Sequence, residues 1–122
     1  MKTISCSQAP AAIGPYSQAK LINGTLYISG QIPLDAEGNM TKGDIAAQTR
    51  QSVQNISAIL KAAGYTIEDV VKTTCFLVEM DDFDVFNEEY SKVFVSKPAR
   101  SCVSVKALPK GALVEIEAIA SK

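Results

Sequence analysis

The pattern of hydrophobic and polar residues in the first half of the chain predicts a hairpin followed by a helix. Asn23-Gly24 lies between the segments Ala19–Ile22 and Thr25–Ser29, a spacing typical of a β-hairpin with a two-residue turn. From Asp44 to Ala63, apolar residues recur at three- and four-residue spacing, which predicts an amphipathic helix. Asp44 can cap the start of this helix, and Gly64 can supply the left-handed residue that ends it.

The second half of the chain predicts a strand, a second helix and two further strands. Val70 to Glu79 is rich in β-branched residues and is long enough for a central strand. Asp82 to Phe94 carries an apolar stripe at helical spacing. The last two strands, about Arg100–Ala107 and Leu113–Ala120, flank Leu108-Pro109-Lys110-Gly111. We expect those four residues to form a turn and the two strands to pair as a closing hairpin.

These elements predict one α/β (α+β) domain over residues 1–122, with a mixed β-sheet and two helices packed on one face. The segments that connect strand, helix and strand are expected to form right-handed crossovers. The residues of the opposite sheet face are largely apolar or small. Self-association is therefore expected to cover that face.

Composition and charge exclude several classes of function. Twelve basic residues against thirteen acidic ones give a formal net charge of −1, which argues against dedicated nucleic-acid binding. The chain has no histidine, so Ser-His-Asp and Cys-His catalytic arrangements are excluded. Its three cysteines are far apart in sequence, which leaves a zinc site few donors, and we expect no metal and no cofactor. Free thiols without an apolar leader indicate a cytoplasmic protein with no membrane partner.

Arg100 is the first candidate for chemistry. It follows Pro98 by two residues and opens a strand of small and apolar residues. A structural ion pair or a surface charge would explain it. A binding site for a substrate carboxylate would explain it as well, because the parallel N–H donors of a guanidinium match the two oxygens of a carboxylate.

Glu115 and Glu117 alternate with apolar residues in the last predicted strand, so both side chains are expected on one face. If the last two strands pair across the turn, Ala107 pairs with Ala112, and this register carries five candidate side chains to one face. They are Arg100, Cys102, Ser104, Glu115 and Glu117. A solvated glutamate is the usual case, whereas a glutamate beside Arg100 would position water or act as a base. The pattern alone does not choose between these two interpretations.

Three further residues have both a structural and a functional interpretation. Tyr16 either packs with its hydroxyl satisfied or closes a small pocket. Cys102 is either a buried thiol or a nucleophile, although without histidine only Arg100 or a backbone amide could activate it. Gly30, at the end of a predicted strand, could offer backbone amides to a ligand.

Several motifs, in order along nearly the whole chain, resemble the RidA (YjgF) family of reactive intermediate deaminases. The C-terminal motif is the most specific, and two N-terminal motifs and part of the first predicted helix agree with it. The segments are Pro98-Ala99-Arg100-Ser101-Cys102-Val103 with Val114-Glu115-Ile116, Gly14-Pro15-Tyr16-Ser17-Gln18-Ala19, Ile28-Ser29-Gly30-Gln31-Ile32-Pro33, Gln48-Thr49-Arg50-Gln51 and Asn55–Gly64.

The resemblance implies a chorismate-mutase-like fold that assembles as a homotrimer around a central barrel, with sites in the clefts between subunits. It implies hydrolysis of 2-imino acids (2-iminopropanoate and 2-iminobutanoate) and of their 2-aminoacrylate-type enamine tautomers to 2-oxo acids and ammonia. By the resemblance, Arg100 binds the carboxylate, Glu115 holds the attacking water, and Tyr16 with the backbone of Gly30 and Cys102 completes the pocket. A trimer that only senses small 2-oxo acids is the alternative, and ribonuclease activity is a third interpretation that the net charge disfavours.

Overall fold

The computed structural model describes all residues from Met1 to Lys122. One six-stranded mixed sheet carries two helices, and three short 3₁₀ turns lie in the connections. The strands are β1 (Lys2–Ile4), β2 (Ala19–Ile22), β3 (Thr25–Gln31), β4 (Val70–Leu77), β5 (Ala99–Ser104) and β6 (Val114–Ser121), and the helices are α1 (Ile45–Ala62) and α2 (Phe83–Ser91).

The elements predicted in the first half of the chain are confirmed. β2 and β3 pair as an antiparallel hairpin, and Asn23 and Gly24 in its turn both have positive φ, at 49° and 80°. A two-residue hairpin turn needs this conformation, and asparagine and glycine tolerate it best. The Asp44 side chain caps α1 by accepting a hydrogen bond from the backbone of Ala47 at 3.1 Å. Gly64, with φ at 80°, follows the last turn of the helix.

The predicted closing hairpin is wrong. The strand order is β1-β2-β3-β6-β4-β5, so β6 lies between β3 and β4, and β5 lies at the edge of the sheet, parallel to β4. Ala107 and Ala112 therefore do not pair across a turn. Alternate residues of β6 are fully buried, which suits a central strand, whereas most of β5 is exposed. The 3₁₀ turn Pro109–Gly111 and a hydrogen bond from the Leu113 backbone to Gln48 Oε1 direct the chain to the centre of the sheet.

Both helices cover one face of the sheet, as predicted. Helix α1 buries the apolar side of its stripe against β6 and β3 and packs beside α2. Helix α2 begins and ends inside its predicted range, and its Tyr90 hydroxyl lies 2.7 Å from Thr73 Oγ1 of β4. Phe86, Tyr90 and Phe94 stack in sequence, with ring centroids 5.6 Å and 4.4 Å apart. Neither helix has the length and apolar character needed to cross a lipid bilayer.

The other face of the sheet has no helix over it. We call this surface the open face. Tyr27 and Val103 lie on it with 50% and 43% of their surface exposed, and Phe76 and Ile119 lie between them, partly buried. Glu115 and Glu117 also lie on this face. The open face is therefore a mixture of exposed apolar side chains and carboxylates.

Candidate active site

Arg100 and the two glutamates lie on opposite faces of the sheet. Arg100 is the register partner of Thr73, a buried residue on the helix face of β4, whereas Glu117 and Glu115 are the partners of Thr74 and Phe76. Neighbouring residues of a strand point to opposite faces. The expectation that one face carries all five candidates is therefore wrong, because it rested on the closing hairpin. Arg100, Cys102 and Ser104 lie towards the helices, and Glu115 and Glu117 lie on the open face.

The candidates therefore form two groups. We call Tyr16, Gly30 and Glu115 the Glu115 half-site, because all three line one cleft. We call Arg100 and Cys102, together with Asn87 of α2, the Arg100 half-site, because they lie where β5 meets that helix.

The Glu115 half-site is a cleft of about 590 Å³ at the junction of β3, β6 and the N-terminal loop. Apolar side chains form much of its wall, and Lys110 and Glu117 complete its rim. The apolar and small wall residues are Pro10, Ala11, Ile13, Ile32, Leu34 and Pro109. A cleft with apolar walls and few polar groups is typical of a small-molecule site.

Gly30 lies directly under the Glu115 side chain. A Cβ atom on residue 30 would collide with the Glu115 carboxyl group and would lie only 3.0 Å from its Cγ. The pairing of β3 with β6 is irregular between Ile28 and Gln31, which is typical of a bulge. A side chain at residue 30 would therefore displace the Glu115 carboxyl group from its place at the floor of the cleft.

The Glu115 carboxyl group is partly withdrawn from water. Its burial is the main cause that raises the pKa of Glu115 above the usual 4.5, and the neighbouring charge of Glu117 raises it further. Both salt bridges of the chain are formed by Glu89, so Glu115 has no ion pair within the chain. A carboxylate with a raised pKa is a better proton acceptor than a solvated one, which suits a base that activates water.

The N-terminal loop places Tyr16 at the rim of the cleft. The buried Gln18 side chain accepts a hydrogen bond from the Cys6 backbone at 2.6 Å and donates to the backbone oxygens of Cys6 and Pro10 at 3.1 Å and 2.7 Å. Ser29 Oγ donates to the Ser17 carbonyl at 2.6 Å, which joins the loop to β3. Tyr16 itself is 54% exposed. It lines the cleft instead of filling the core, which favours the pocket-closing interpretation.

The Arg100 half-site holds its guanidinium group without a carboxylate. Arg100 Nη1 donates a hydrogen bond to Asn87 Oδ1 at 2.8 Å. The guanidinium carbon lies 4.9 Å from the ring centroid of Tyr90 and 5.7 Å and 5.8 Å from those of Phe83 and Phe86. Stacking on aromatic rings and one neutral acceptor fix the group but leave its charge unpaired. Arg100 therefore has no ion pair within the chain, and N–H donors remain for an anionic ligand.

The sequence interpretation missed three residues that contact Arg100, namely Asn87, Phe83 and Tyr90. The aromatic residues form the apolar stripe of α2, and such a stripe is ordinarily read as core. Only the parallel pairing of β5 with β4 brings Arg100 beneath this helix. An asparagine one position from a buried phenylalanine in α2 was the available signal for a polar partner.

The other two candidates on β5 differ in position. Cys102 is partly buried and packs against the core, and its burial raises the pKa of the thiol, an effect that the nearby Arg100 partly opposes. Burial disfavours the thiolate, which favours the core interpretation over a nucleophile that attacks a substrate. Ser104 Oγ donates to the Val78 carbonyl at 3.2 Å and contacts neither half-site.

Comparison with known proteins gives relatives that cover nearly the whole chain and carry different functional names. The sequence pattern of the family described as Endoribonuclease L-PSP matches residues 6–122. A Lactococcus lactis protein named as the regulator AldR is 55% identical over 122 residues, covering 98% of this chain and 97% of that protein. The 2-iminobutanoate/2-iminopropanoate deaminase of Homo sapiens is 49% identical over 121 residues, covering 98% of this chain and 88% of that protein. The crystal structure of E. coli TdcF with bound serine has a TM-score of 0.96 at 40% identity, covering 100% of this chain and 99% of that one.

Proposed function

This chain belongs to the Endoribonuclease L-PSP family, which is the RidA (YjgF) family that its motifs resemble, and from that premise we propose that it is a 2-iminobutanoate/2-iminopropanoate deaminase. The reaction adds water to a 2-imino acid, or to its enamine tautomer, and releases a 2-oxo acid and ammonia. The substrate is small, anionic and electrophilic. Such a substrate needs a group that binds its carboxylate and a group that places water at its C2 atom.

One observation is the main support for this proposal: an unpaired cation and a partly buried carboxylate lie in two separate half-sites. The Arg100 half-site offers an unpaired cation with a planar set of donors, and the Glu115 half-site offers a half-buried carboxylate in an apolar cleft. The first matches a carboxylate, and the second matches a water molecule that must lose a proton. Hydrolysis of a 2-imino acid would use both groups.

A second copy of the chain is needed to complete the site. Because Arg100 and Glu115 lie on opposite faces of one sheet, a single copy does not hold a small substrate between them. The exposed apolar residues of the open face give the copies a surface on which to pack. We propose a homotrimer in which the Arg100 half-site of one copy closes over the Glu115 half-site of the next. Sedimentation at micromolar concentration tests this, and a monomeric mass would contradict it.

In the proposed mechanism each group has one task. Arg100 binds the substrate carboxylate in a bidentate manner while Asn87 and Tyr90 hold its guanidinium plane. Glu115 accepts a proton from water as that water attacks C2 and returns it to the nitrogen of the resulting carbinolamine. The C–N bond then breaks, ammonia leaves, and the hydroxyl loses its proton as the 2-oxo acid forms. The Tyr16 hydroxyl and the backbone around Gly30 and Cys102 line the rest of the pocket. The protonated imine is already electrophilic, so the reaction requires no added Lewis acid.

The test generates the imine in place, because the free compound hydrolyses spontaneously. A threonine dehydratase supplies 2-iminobutanoate, semicarbazide traps it, and the protein is added in increasing amounts. We expect the protein to compete with the trap, so that the semicarbazone yield falls and 2-oxobutanoate rises. An unchanged yield at protein concentrations that bind 2-oxobutanoate would contradict the deaminase and favour a sensor, the role that the name of the AldR relative suggests.

A further inference from the structure

Two of the three cysteines lie side by side in the sheet. Cys75 of β4 and Cys102 of β5 are register partners in adjacent parallel strands, and both side chains lie on the helix face. Residues 27 positions apart in sequence are thus brought together only by the parallel crossover. Cys6 lies in the N-terminal loop, where its thiol contacts the Ala58 carbonyl at 3.6 Å. It is not part of this pair.

The backbone geometry of the pair is compatible with a covalent bond. Adjacent strands lie about 4.7–4.9 Å apart, which falls within the Cα separation of about 4.4–6.8 Å that disulfides adopt. Register partners project to the same side of the sheet, so the two side chains are neighbours on one face. Strand β5 pairs with β4 alone, and an edge strand can shift by the small distance that the bond requires.

The two thiols differ in their access to solvent. Cys75 is fully buried, with 0% of its surface exposed, and burial raises the pKa of its thiol to about 12. Cys102 is only partly buried and lies two residues from Arg100 in the same strand. Burial raises the pKa of Cys102 less than that of Cys75, and Arg100 opposes the effect, so Cys102 is both the more accessible and the more readily ionised of the two thiols. A small oxidant therefore reacts with Cys102 first.

We propose that Cys75 and Cys102 form a redox-active dithiol that hydroperoxides convert to a reversible disulfide. In the first step the Cys102 thiol reduces hydrogen peroxide, which gives a sulfenic acid and one water molecule. In the second step the Cys75 sulfur attacks the Cys102 sulfur, and the sulfenic hydroxyl leaves with the Cys75 proton as a second water. Two thiols lose two electrons in total, and the peroxide gains them.

The disulfide would act on the Arg100 half-site. Arg100 precedes Cys102 by two residues on β5, and its guanidinium is fixed by contacts to α2 that depend on the position of this edge strand. Movement of Cys102 towards Cys75 shifts the strand and loosens those contacts. This consequence rests on the proposed deaminase function, whereas formation of the bond does not.

The experiment follows thiols and turnover separately. The reduced protein is treated with hydrogen peroxide, alkylated, digested and mapped, and its free thiols are titrated before and after reduction by dithiothreitol. We expect the titre to fall from three thiols per chain to one, with a Cys75–Cys102 crosslinked peptide and at least a tenfold loss of turnover that dithiothreitol restores. Cys75→Val removes the partner from a position outside both half-sites. It should keep its turnover before oxidation, form no crosslink and lose activity without recovery. Cys6→Ser should form the same crosslink and lose turnover reversibly, with its titre falling from two thiols to none.

Each contrary result is distinguishable. Oxygen addition at Cys102 without a crosslink, or a crosslink that includes Cys6, would overturn the dithiol. A Cys75–Cys102 crosslink with unchanged turnover would overturn the effect on the Arg100 half-site. If the crosslink forms in a protein that shows no deaminase activity before oxidation, the result supports the dithiol and contradicts the proposed function.

Discussion

Replacement of Arg100 by lysine keeps a positive charge at the Arg100 half-site but removes the planar donor group. In the structure one N–H of Arg100 donates to Asn87, and the ring centroid of Tyr90 lies 4.9 Å from the guanidinium carbon. These contacts fix the guanidinium plane and leave its other N–H donors free. A substrate carboxylate can then accept two parallel hydrogen bonds. An ammonium group supplies a point charge and cannot keep Asn87, the ring and both carboxylate oxygens satisfied together.

The magnitude follows from the number of hydrogen bonds to the substrate that each substitution removes. A hydrogen bond to a charged group contributes about 1.5–3 kcal/mol, so removal of one of two such bonds in Arg100→Lys corresponds to about a ten- to 150-fold fall in kcat/KM. Arg100→Ala removes the charge as well and is expected to cost about 2–4 kcal/mol, or roughly thirty- to a thousandfold. The stacking of the guanidinium on the rings affects folding more than turnover, since it is present with and without substrate.

The assay compares kcat/KM for 2-iminobutanoate, generated in place, with urea unfolding midpoints for the same preparations. Arg50→Lys is a matched control, because Arg50 is exposed and pairs with Glu89 on the outer side of the helices. It should keep full turnover. Full activity in Arg100→Lys would refute the bidentate contact and leave only a requirement for charge. A loss that merely follows reduced stability would mean that Arg100 acts on the fold.

The remaining predictions concern the carboxylates and metal ions. Glu115→Gln should lower turnover by about 10²–10⁴, whereas Glu117→Gln should change it by less than about fivefold, as measured at matched trimer content; the reverse order would exchange their roles. Because burial, and then Glu117, raise the pKa of Glu115, activity should fall with decreasing pH at a pKa above 4.5, and Glu117→Gln should move this acid limb to lower pH. Because the folded pKa of Glu115 is raised, folding favours the protonated carboxyl group. Its contribution to the free energy of unfolding is therefore present at low pH and is lost as pH rises through the folded pKa. Glu115→Gln should therefore raise the urea midpoint at neutral pH, and an unchanged midpoint would count against a desolvated carboxylate. Exhaustive EDTA treatment should leave turnover unchanged, and a loss that one added metal ion restores would contradict the proposed chemistry.

Local sequence signals were sufficient for the elements that depend on neighbouring residues. The Asn23-Gly24 turn, the Asp44 cap and the stripe of α1 each follow from backbone preferences or from a periodicity within one segment. The pairing of the last strand was predicted wrongly, because two strands separated by a short turn look like a hairpin in sequence. The choice of the central position for β6 depends on burial against both β3 and β4, which no local pattern records.

The sequence identified some of the candidate residues, but it did not predict their arrangement. Arg100, Glu115, Tyr16 and Gly30 were identified by charge in an apolar context and by resemblance, and the structure places them at clefts or rims. The strand order places these residues on two faces of the sheet. Because the closing hairpin was predicted wrongly, the predicted arrangement of the site was wrong as well. The role of Asn87 depends on a contact between an edge strand and α2, and such a contact leaves no regular spacing in the sequence.

The most direct test of the composite site mixes two inactive variants. Arg100→Ala retains a normal Glu115 half-site, and Glu115→Gln retains a normal Arg100 half-site. If each site is built from two neighbouring copies, every trimer that contains both variants has about one third of its sites with both groups intact. Co-expression of differently tagged chains, purification of the mixed trimers and measurement of 2-iminobutanoate hydrolysis should therefore recover about one third of normal turnover. Turnover no greater than that of the separate variants would show that Arg100 and Glu115 do not meet across a subunit boundary, and would contradict the composite site.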